Sequence, residues 1–358
     1  TEMPVQRAED GMAVEPNHIC LIPPEKNLTI FHGKLLLEHQ KQRDGVNLPV
    51  DLFLRSLAED QGERAVAVVL SGTGSDGTRG VRAVKEWGGL VLVQDEASSR
   101  FDGMPRAAAS TGVADFILPP EEMPAQLVAC LSHPYTTRHD WQQQALADET
   151  GMTRLFSLLR ARTKVDFTHY KPNTVARRTE RRLMLNQSLD LDDYVKRLEE
   201  SPEELNQLYK DLLIGVTRFF RDQEAFQRLE TDALPTVLAT LPHEEEFRAW
   251  VAGCATGEEA YSLAILLVER MEAMRRPVRV KIFATDVHRA SLDFASLGVY
   301  SEAALADVSP ERIARHFVRK GDGYHVSPEL RQMVVFAQHN IIKDAPFNIW
   351  AMSVHRAD

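Results

Sequence analysis

Cysteine is scarce in this chain: 358 residues carry only Cys20, Cys130 and Cys254. Widely spaced and odd in number, they make neither a disulfide framework nor a C-x-x-C metal knuckle. No metal site is expected, and a reducing cytoplasm is. Long apolar runs are missing as well. Nothing approaches the roughly 18 apolar residues of a membrane span, and the opening TEMPVQRAEDG has neither the basic nor the apolar region of a secretory signal. Both absences argue against membrane insertion and secretion. Positive charge is in deficit: 42 Lys+Arg against 52 Asp+Glu give a net charge of −10. That speaks against general nucleic-acid affinity and leaves room only for a local basic patch. What remains, 44% apolar and 26% charged, is ordinary globular composition for two or three domains. The chain opens on Thr1 and stops on the polar SVHRAD, so it is expected to be a piece of something longer.

Period and punctuation divide the chain into three folded segments. From His18 to Ser132, β-rich runs (19–23, 28–31, 34–39, 65–71, 90–95 and 115–119) alternate with helix-length stretches near Gly77 to Trp87 and Met104 to Ser110. Strand, helix, strand, helix, strand is the pattern of a parallel sheet. Asn27 to Leu36, with His32-Gly33 between its apolar runs, reads as a hairpin. The polar stretch 134–151 loses periodicity and is expected to be a linker. Residues 152–231 then read as nearly all helix, and 232–358 return to alternating strand and helix before an irregular part with a Gly-Asp-Gly hairpin.

The acidic total hides a basic segment. Residues 154–182 hold nine Lys/Arg against two acids, a local charge of +7. Arg177 and Arg181, and Arg178 and Arg182, are i, i+4 pairs, so four guanidinium groups crowd one side of one helix. Such a face asks for an anionic partner, outside the chain or inside it; internal carboxylates are the commoner solution.

In the third segment, FRAWVAG (247–253) runs as a strand into CATGEEAYSLAILLVERM, a helix, and a further strand ends on Asp286. A strand feeding a small-residue loop that opens a helix lets backbone N–H groups approach a ligand closely. An acid at the next strand end can grip both hydroxyls of a ribose. The spacing is G-x-x-x-G, and Glu258-Glu259 would repel a pyrophosphate. A zwitterionic ribose-bearing ligand without phosphates, of which S-adenosylmethionine is the common one, fits better. Cys254 lacks an evident base and reads as a small packed residue.

Several long motifs then resemble known families. GVTRFFRD (215–222), AGCATGEEAYSLA (252–264), FATD (283–286) and FAQHNI (336–341) resemble the successive signatures of the chemotaxis protein-glutamate methyltransferases, CheR. The Arg-rich helical segment resembles that family's N-terminal domain. Upstream, AEDGMAVEPNHICLIPP (8–24), LPVDLFLRSLA (48–58), VVLSGTGSDGTRG (68–80) and QDEASSRFDGMPRAA (94–108) resemble the catalytic domain of the protein-glutamate methylesterases, CheB. The order is that of fused CheB/CheR sensory proteins.

The resemblance implies an α/β protein. Its parts would be a partial three-layer parallel-sheet domain (1–133), the linker (134–151), an all-helical middle domain (152–231), and a partial Rossmann-like class I methyltransferase domain with a small β-subdomain (232–358). It implies S-adenosylmethionine as cofactor, with Thr217, Arg221, Glu259, Asp286, Asn340 and Ile341 similar to its contacts and Arg221 also carried as catalytic. Phe219 and Phe220 read equally well as core. The implied substrate is glutamate on the cytoplasmic helices of chemoreceptors, docked by Arg177, Arg178, Arg181 and Arg182. A response regulator or histidine kinase of the same pathway is a further expected partner; nucleic acid is not.

Asp76 matches the Asp of the esterase family's Ser, His and Asp set, with helix capping as its bland alternative. The matching Ser loop and His have no place in this chain, since Ser71 and Ser75 lie beside the Asp and His18 falls after the AEDG match. No esterase activity is therefore expected. The C-R-N-x-x-I-Y stretch expected after VVFAQHNI is replaced by PFNIWAMSVHRAD, which suggests truncation or a change of frame. The alternative function is a non-catalytic scaffold that binds receptor or cofactor without turnover. A nucleic-acid or small-molecule methyltransferase would want base-stacking aromatics in a basic groove, which are not evident.

Overall fold

A computed structural model describes every residue except 1, 41–46, 133–147, 214, 216, 243–244, 322, 346–351 and 356–358. The expected linker lies almost wholly outside the described residues. The chain divides at residue 214 into two compact units. The first therefore holds both the esterase-like and the helical segments. Residues 215–231, expected to close the helical domain, belong to the second.

In the first unit, short strands β1 (Val5–Arg7) and β3 (Ile19–Leu21) pair in parallel, and β2 (Met12–Ala13), β4 (Lys26–Phe31) and β5 (Lys34–His39) form an antiparallel sheet in the order β2-β5-β4. Phe31 pairs with Lys34 across the two-residue turn His32-Gly33, both with positive φ, as the hairpin pattern predicts. Helix α1 (Pro49–Gln61) leads to β6 (Val66–Val69), α2 (Thr78–Glu86), β7 (Leu90–Gln94), α3 (Gly103–Ser110), β8 (Phe116–Leu118) and α4 (Met123–Leu131). The three strands are parallel in the order β6-β7-β8. Ala67, Val69, Val91 and Val93 line the buried face with Leu54, Val81 and Val84 of the helices.

Four helices follow in the same unit: α5 (Glu149–Thr163), α6 (Pro172–Leu185), α7 (Leu191–Glu200) and α8 (Pro202–Leu212). Their starts are written in the sequence. Asp148, Asp190 and Ser201 each accept a backbone N–H from their own first turn, and Pro172 and Pro202 occupy positions where no N–H is missed. Leu155, Leu159, Leu183, Tyr194, Leu198 and Leu208, spaced at helical period, are buried.

The second unit opens with α9 (Gln223–Arg228) and α10 (Leu234–Thr240) and then alternates β9 (Phe247–Ala252), α11 (Glu258–Ala273), β10 (Val280–Asp286) and α12 (Arg289–Leu297). Strand β11 (Val299–Ser301), helix α13 (Pro310–His316), strands β12 (Phe317–Lys320) and β13 (Gly323–Val326) and helix α14 (Pro328–Met333) come next, then β14 (Val334–Gln338) and β15 (Met352–His355). The main sheet is parallel in the order β14-β10-β9-β15, and β11-β13-β12 make a small antiparallel sheet. Helix α11 is apolar nearly all round, from Ala260 to Val268, because it is the central buried helix of this unit.

Candidate active site

The loop between β9 and α11 is held open by backbone. Gly253, Ala255 and Gly257 have φ of +70°, +43° and +92°. Their turns aim the chain so that Cys254 N–H donates to the Thr285 carbonyl (3.0 Å) and Gly257 N–H to the Cys254 carbonyl (2.8 Å). A Cβ on Gly253 would meet nothing within 4 Å, so its bare backbone faces open space. One on Gly257 would lie 2.8 Å from the Ala295 Cβ and 3.1 Å from the Tyr300 hydroxyl. The first glycine leaves room for a ligand and the second lets α12 approach. Tyr300 completes the packing, its hydroxyl donating to the Thr256 carbonyl at 2.7 Å.

Asp286, the last residue of β10, organises this loop. Oδ2 accepts the Ala255 N–H at 2.9 Å and Oδ1 the His288 N–H at 2.8 Å. Each oxygen keeps a second lone pair, which is what two vicinal hydroxyls of a ribose need. At the end of the neighbouring strand, His339 N–H donates to the Asp286 carbonyl (3.1 Å). The carboxyl ends of β9, β10 and β14 therefore meet around one carboxylate, the usual place for a ligand on a parallel sheet. Glu259 lies in the first turn of α11, partly exposed, and Glu258 is buried with Thr256 Oγ1 donating to its carboxylate at 2.6 Å. Two carboxylates beside the loop suit a cationic or zwitterionic ligand and oppose a phosphate.

The Thr217–Arg221 turn is tied to the same helix. Phe220, at φ +50°, donates its N–H to Ser262 Oγ (3.1 Å), and Ser262 donates to the Glu258 carbonyl (2.7 Å). Phe219 is fully buried, edge-on to Tyr300 and Phe317 at 4.9 and 5.6 Å between centroids, so both phenylalanines serve the core. Thr217 and Arg221 are partly exposed on either side of this anchor. Ser262 is the positioning residue that sequence reasoning missed. Its signal was a polar residue on the apolar face of α11, one turn after Glu258.

Asn340 and Ile341 are placed differently from each other. Asn340 Oδ1 accepts the Ile342 N–H (3.0 Å), and its own N–H donates to Asp344 Oδ2 (2.7 Å), so the side chain shapes a local turn. Ile341 is exposed beside it. Cys254 is buried; burial, with the Asp286 charge next, pushes its thiol far above the ordinary range, which removes it as a nucleophile.

In the first unit, Asp76 is engaged as a cap. Its carboxylate accepts N–H groups from Val50 (3.0 Å), Asp51 (2.9 Å) and Gly77 (2.8 Å). It therefore caps α1, some 25 residues earlier, rather than the helix that follows it, whose N-cap is Gly77. His18 hydrogen-bonds to the Pro16 carbonyl (2.9 Å), and Ser71 Oγ donates to the Phe101 carbonyl (3.2 Å).

The basic helix departs from expectation most. Arg181 and Arg182 are 8% and 7% exposed, and Arg178 donates to the Asp211 carbonyl. Arg177, by contrast, keeps a side chain about a third exposed, 3.9 Å from Glu63. The internal carboxylates that the charge count left open as an alternative are Asp115, Glu204 and Asp211.

Comparison with known proteins follows the same segments. The CheB methylesterase model matches residues 1–127, the all-alpha domain of CheR methyltransferase residues 150–213, and the SAM-binding domain of CheR methyltransferase residues 215–350. The chain belongs to the CheB and CheR families, joined in that order. An uncharacterized 104.1 kDa protein of Rhodobacter capsulatus is 39% identical over 368 aligned positions, covering 97% of this chain and 39% of its own. A chemotaxis protein methyltransferase of Listeria innocua is 29% identical over 180 residues, half of this chain and 66% of its own. A protein-glutamate methylesterase/protein-glutamine glutaminase of Moorella thermoacetica is 37% identical over 133 residues, 36% of this chain and 31% of its own. The fused CheB–CheR chain thus spans less than two thirds of each of these relatives. Among the described residues, no helix is long and apolar enough to cross a membrane.

Proposed function

We propose that this chain methylates glutamate side chains on chemoreceptors with S-adenosylmethionine as donor. The observation that carries the reading is the Asp286 carboxylate bound to the Ala255 and His288 N–H groups beside the open Gly253 backbone, in a segment that matches the CheR cofactor domain. The residues fit the cofactor: Asp286 and Glu259 suit its ribose and cationic groups, Thr217 and Arg221 flank the anchored turn that would cover it, and Asn340-Ile341 stand at the adenine side. Bound S-adenosylmethionine would supply an electrophilic sulfonium methyl to a receptor carboxylate, the S–CH3 bond breaking to leave the neutral thioether S-adenosylhomocysteine.

The rest is the chain's own work. A glutamate with an ordinary pKa of about 4.3 is already ionised at neutral pH, so no strong base is needed. Positioning and loss of water from that carboxylate are needed, and the turn that Ser262 anchors is the part of the chain proposed to supply them. The substrate reading places the protein in the cytoplasm, where receptor methylation helices lie, alongside a response regulator or histidine kinase of the pathway. The esterase-like segment is proposed to be inactive here: Asp76 serves α1, and no Ser–His pair joins it among the described residues.

Titration with S-adenosylmethionine by calorimetry, followed by transfer of labelled methyl to a receptor cytoplasmic fragment, tests the reading. Saturable binding with base-labile label on glutamates is expected. Absence of binding by the folded chain would instead favour a scaffold without turnover.

A further inference from the structure

The Thr217–Arg221 turn carries more support than a surface loop needs. Phe220 holds φ at +50°, a left-handed backbone disfavoured for a bulky aromatic residue. Such strain persists only where the surroundings fix it, and Phe220 is 7% exposed. Ser262 holds its N–H. Its ring is held from two further sides: Phe226 stands edge-on at 5.4 Å between centroids, and the Arg312 guanidinium lies over the ring, 4.7 Å from its centroid.

Arg312, on α13, is itself fixed. Its Nε and Nη2 donate to the two carboxylate oxygens of Glu269 on α11 at 3.0 and 2.7 Å, and Nη2 stands 3.5 Å from Glu230. A fork on one carboxylate sets the plane of a guanidinium as well as its place. The side chain is 25% exposed, so that plane is kept against the ring rather than left to solvent. The part of the chain around the small antiparallel sheet reaches the turn elsewhere too. Arg218 donates to the Arg221 carbonyl (3.0 Å) and stands 3.7 Å from Asp307, which precedes α13. Phe219 meets Tyr300 of β11 and Phe317 of β12. Arg218, Phe219 and Phe220 are thus each gripped from segment 300–317, and Thr217 and Arg221 lie at the two ends of the gripped stretch.

We propose that Arg312 is a positioning residue for methyl-donor binding: stacked on Phe220, it keeps the strained turn in the conformation that brings Thr217 and Arg221 to S-adenosylmethionine. It acts through the Phe220 ring and needs no contact with donor or receptor. The donor role rests on the methyltransferase reading above; the grip on the turn rests on the stack itself.

The test compares the whole chain with Arg312→Gln, Phe220→Leu and the double variant. Glutamine keeps a donor for Glu269 and gives up the charge and the flat stacking face. Arg312→Gln is expected to raise both the calorimetric Kd and the KM for S-adenosylmethionine about fivefold, with the KM for a receptor fragment changed less than about twofold. In the Phe220→Leu background the same substitution should add less than about twofold, because the ring it acts through is gone. Equal losses in both backgrounds overturn the proposal, as does an unchanged donor Kd in a folded Arg312→Gln chain. An ion pair that merely joined α11 to α13 would lower the denaturant midpoint and leave the donor Kd alone. Hydrogen exchange at the Phe220 amide, resolved by fragmentation mass spectrometry, needs no donor. It should run at least about tenfold slower than in an open chain for the parent, and about fivefold faster than the parent in Arg312→Gln. Open-chain exchange in the parent overturns the grip whether or not the variants fold. A parent with the expected exchange that binds no S-adenosylmethionine would sink the methyltransferase reading and the donor role with it, while the exchange difference upholds the grip.

Discussion

Asp286 and Ala255 are joined by one hydrogen bond of 2.9 Å across 31 residues of sequence, and that bond sets the shape of the ligand loop. Ala255 holds a left-handed φ of +43°, a conformation that costs an alanine about 1 kcal/mol and needs support. Asp286→Ala removes the support together with the proposed ribose acceptors. Calorimetry should show S-adenosylmethionine affinity reduced at least about tenfold, roughly the worth of one charge-assisted hydrogen bond. Asp286→Asn, which keeps one acceptor, should lose less. Unchanged affinity in both would remove Asp286 from the site.

Gly257 cannot carry a side chain cheaply. Its φ of +92° disfavours any L-residue, and an added Cβ would sit 2.8 Å from the Ala295 Cβ. Gly257→Ala should therefore destabilise the second unit by about 1–3 kcal/mol, read as a lower denaturant midpoint with unchanged slope.

Ser262 links the Thr217–Arg221 turn to α11. Ser262→Ala leaves the buried Phe220 N–H without its acceptor, at a cost of about 1–3 kcal/mol. The expected signature is weaker methyl transfer with the overall fold retained by circular dichroism. Transfer at the unaltered rate would show that the anchor is not needed.

Asp51 gives the first unit an unusual pH response. Burial, opposed by the Gly80 N–H and reinforced by the Asp76 charge, raises its carboxyl from 3.8 to about 6. The folded state thus binds the proton more tightly than the unfolded chain. This contribution favours folding at low pH and is lost as pH rises from about 4 to about 6, by on the order of 3 kcal/mol. Asp51→Asn keeps an acceptor for Gly80 N–H and removes the titration. Its stability relative to the parent should rise across that window and level above it, in denaturation followed at about pH 4, 5, 6 and 7.

Asp76 caps α1 from a distant loop. Asp76→Ala exposes the Val50 and Asp51 N–H groups at the helix start and should cost about 1–2 kcal/mol in thermal or denaturant unfolding. With glutamyl methyl ester as substrate, the parent and the variant should be equally without hydrolysis. Hydrolysis by the parent that the variant lacks would reinstate Asp76 as catalytic.

Much of this protein was determined by local sequence. Short β-rich runs became β6, β7 and β10, His32-Gly33 became the hairpin turn, and Asp190 and Ser201 became helix caps, because each depends on residues a few positions apart. The Gly253–Gly257 loop with Asp286 was legible for the same reason, since strand–loop–helix followed by a strand-end acid is a pattern of spacing. Tertiary structure alone decided where charge and capping groups find partners. Arg181 meets Asp115 from 66 residues away, Lys85 meets Asp211 from 126, and Asp76 serves a helix 25 residues earlier. A count of +7 can say that a helix needs carboxylates. Which carboxylates answer it depends on what the fold brings within hydrogen-bond reach and takes out of water: here Glu204 and Asp211 of the helical segment itself, and Asp115 of the esterase-like segment.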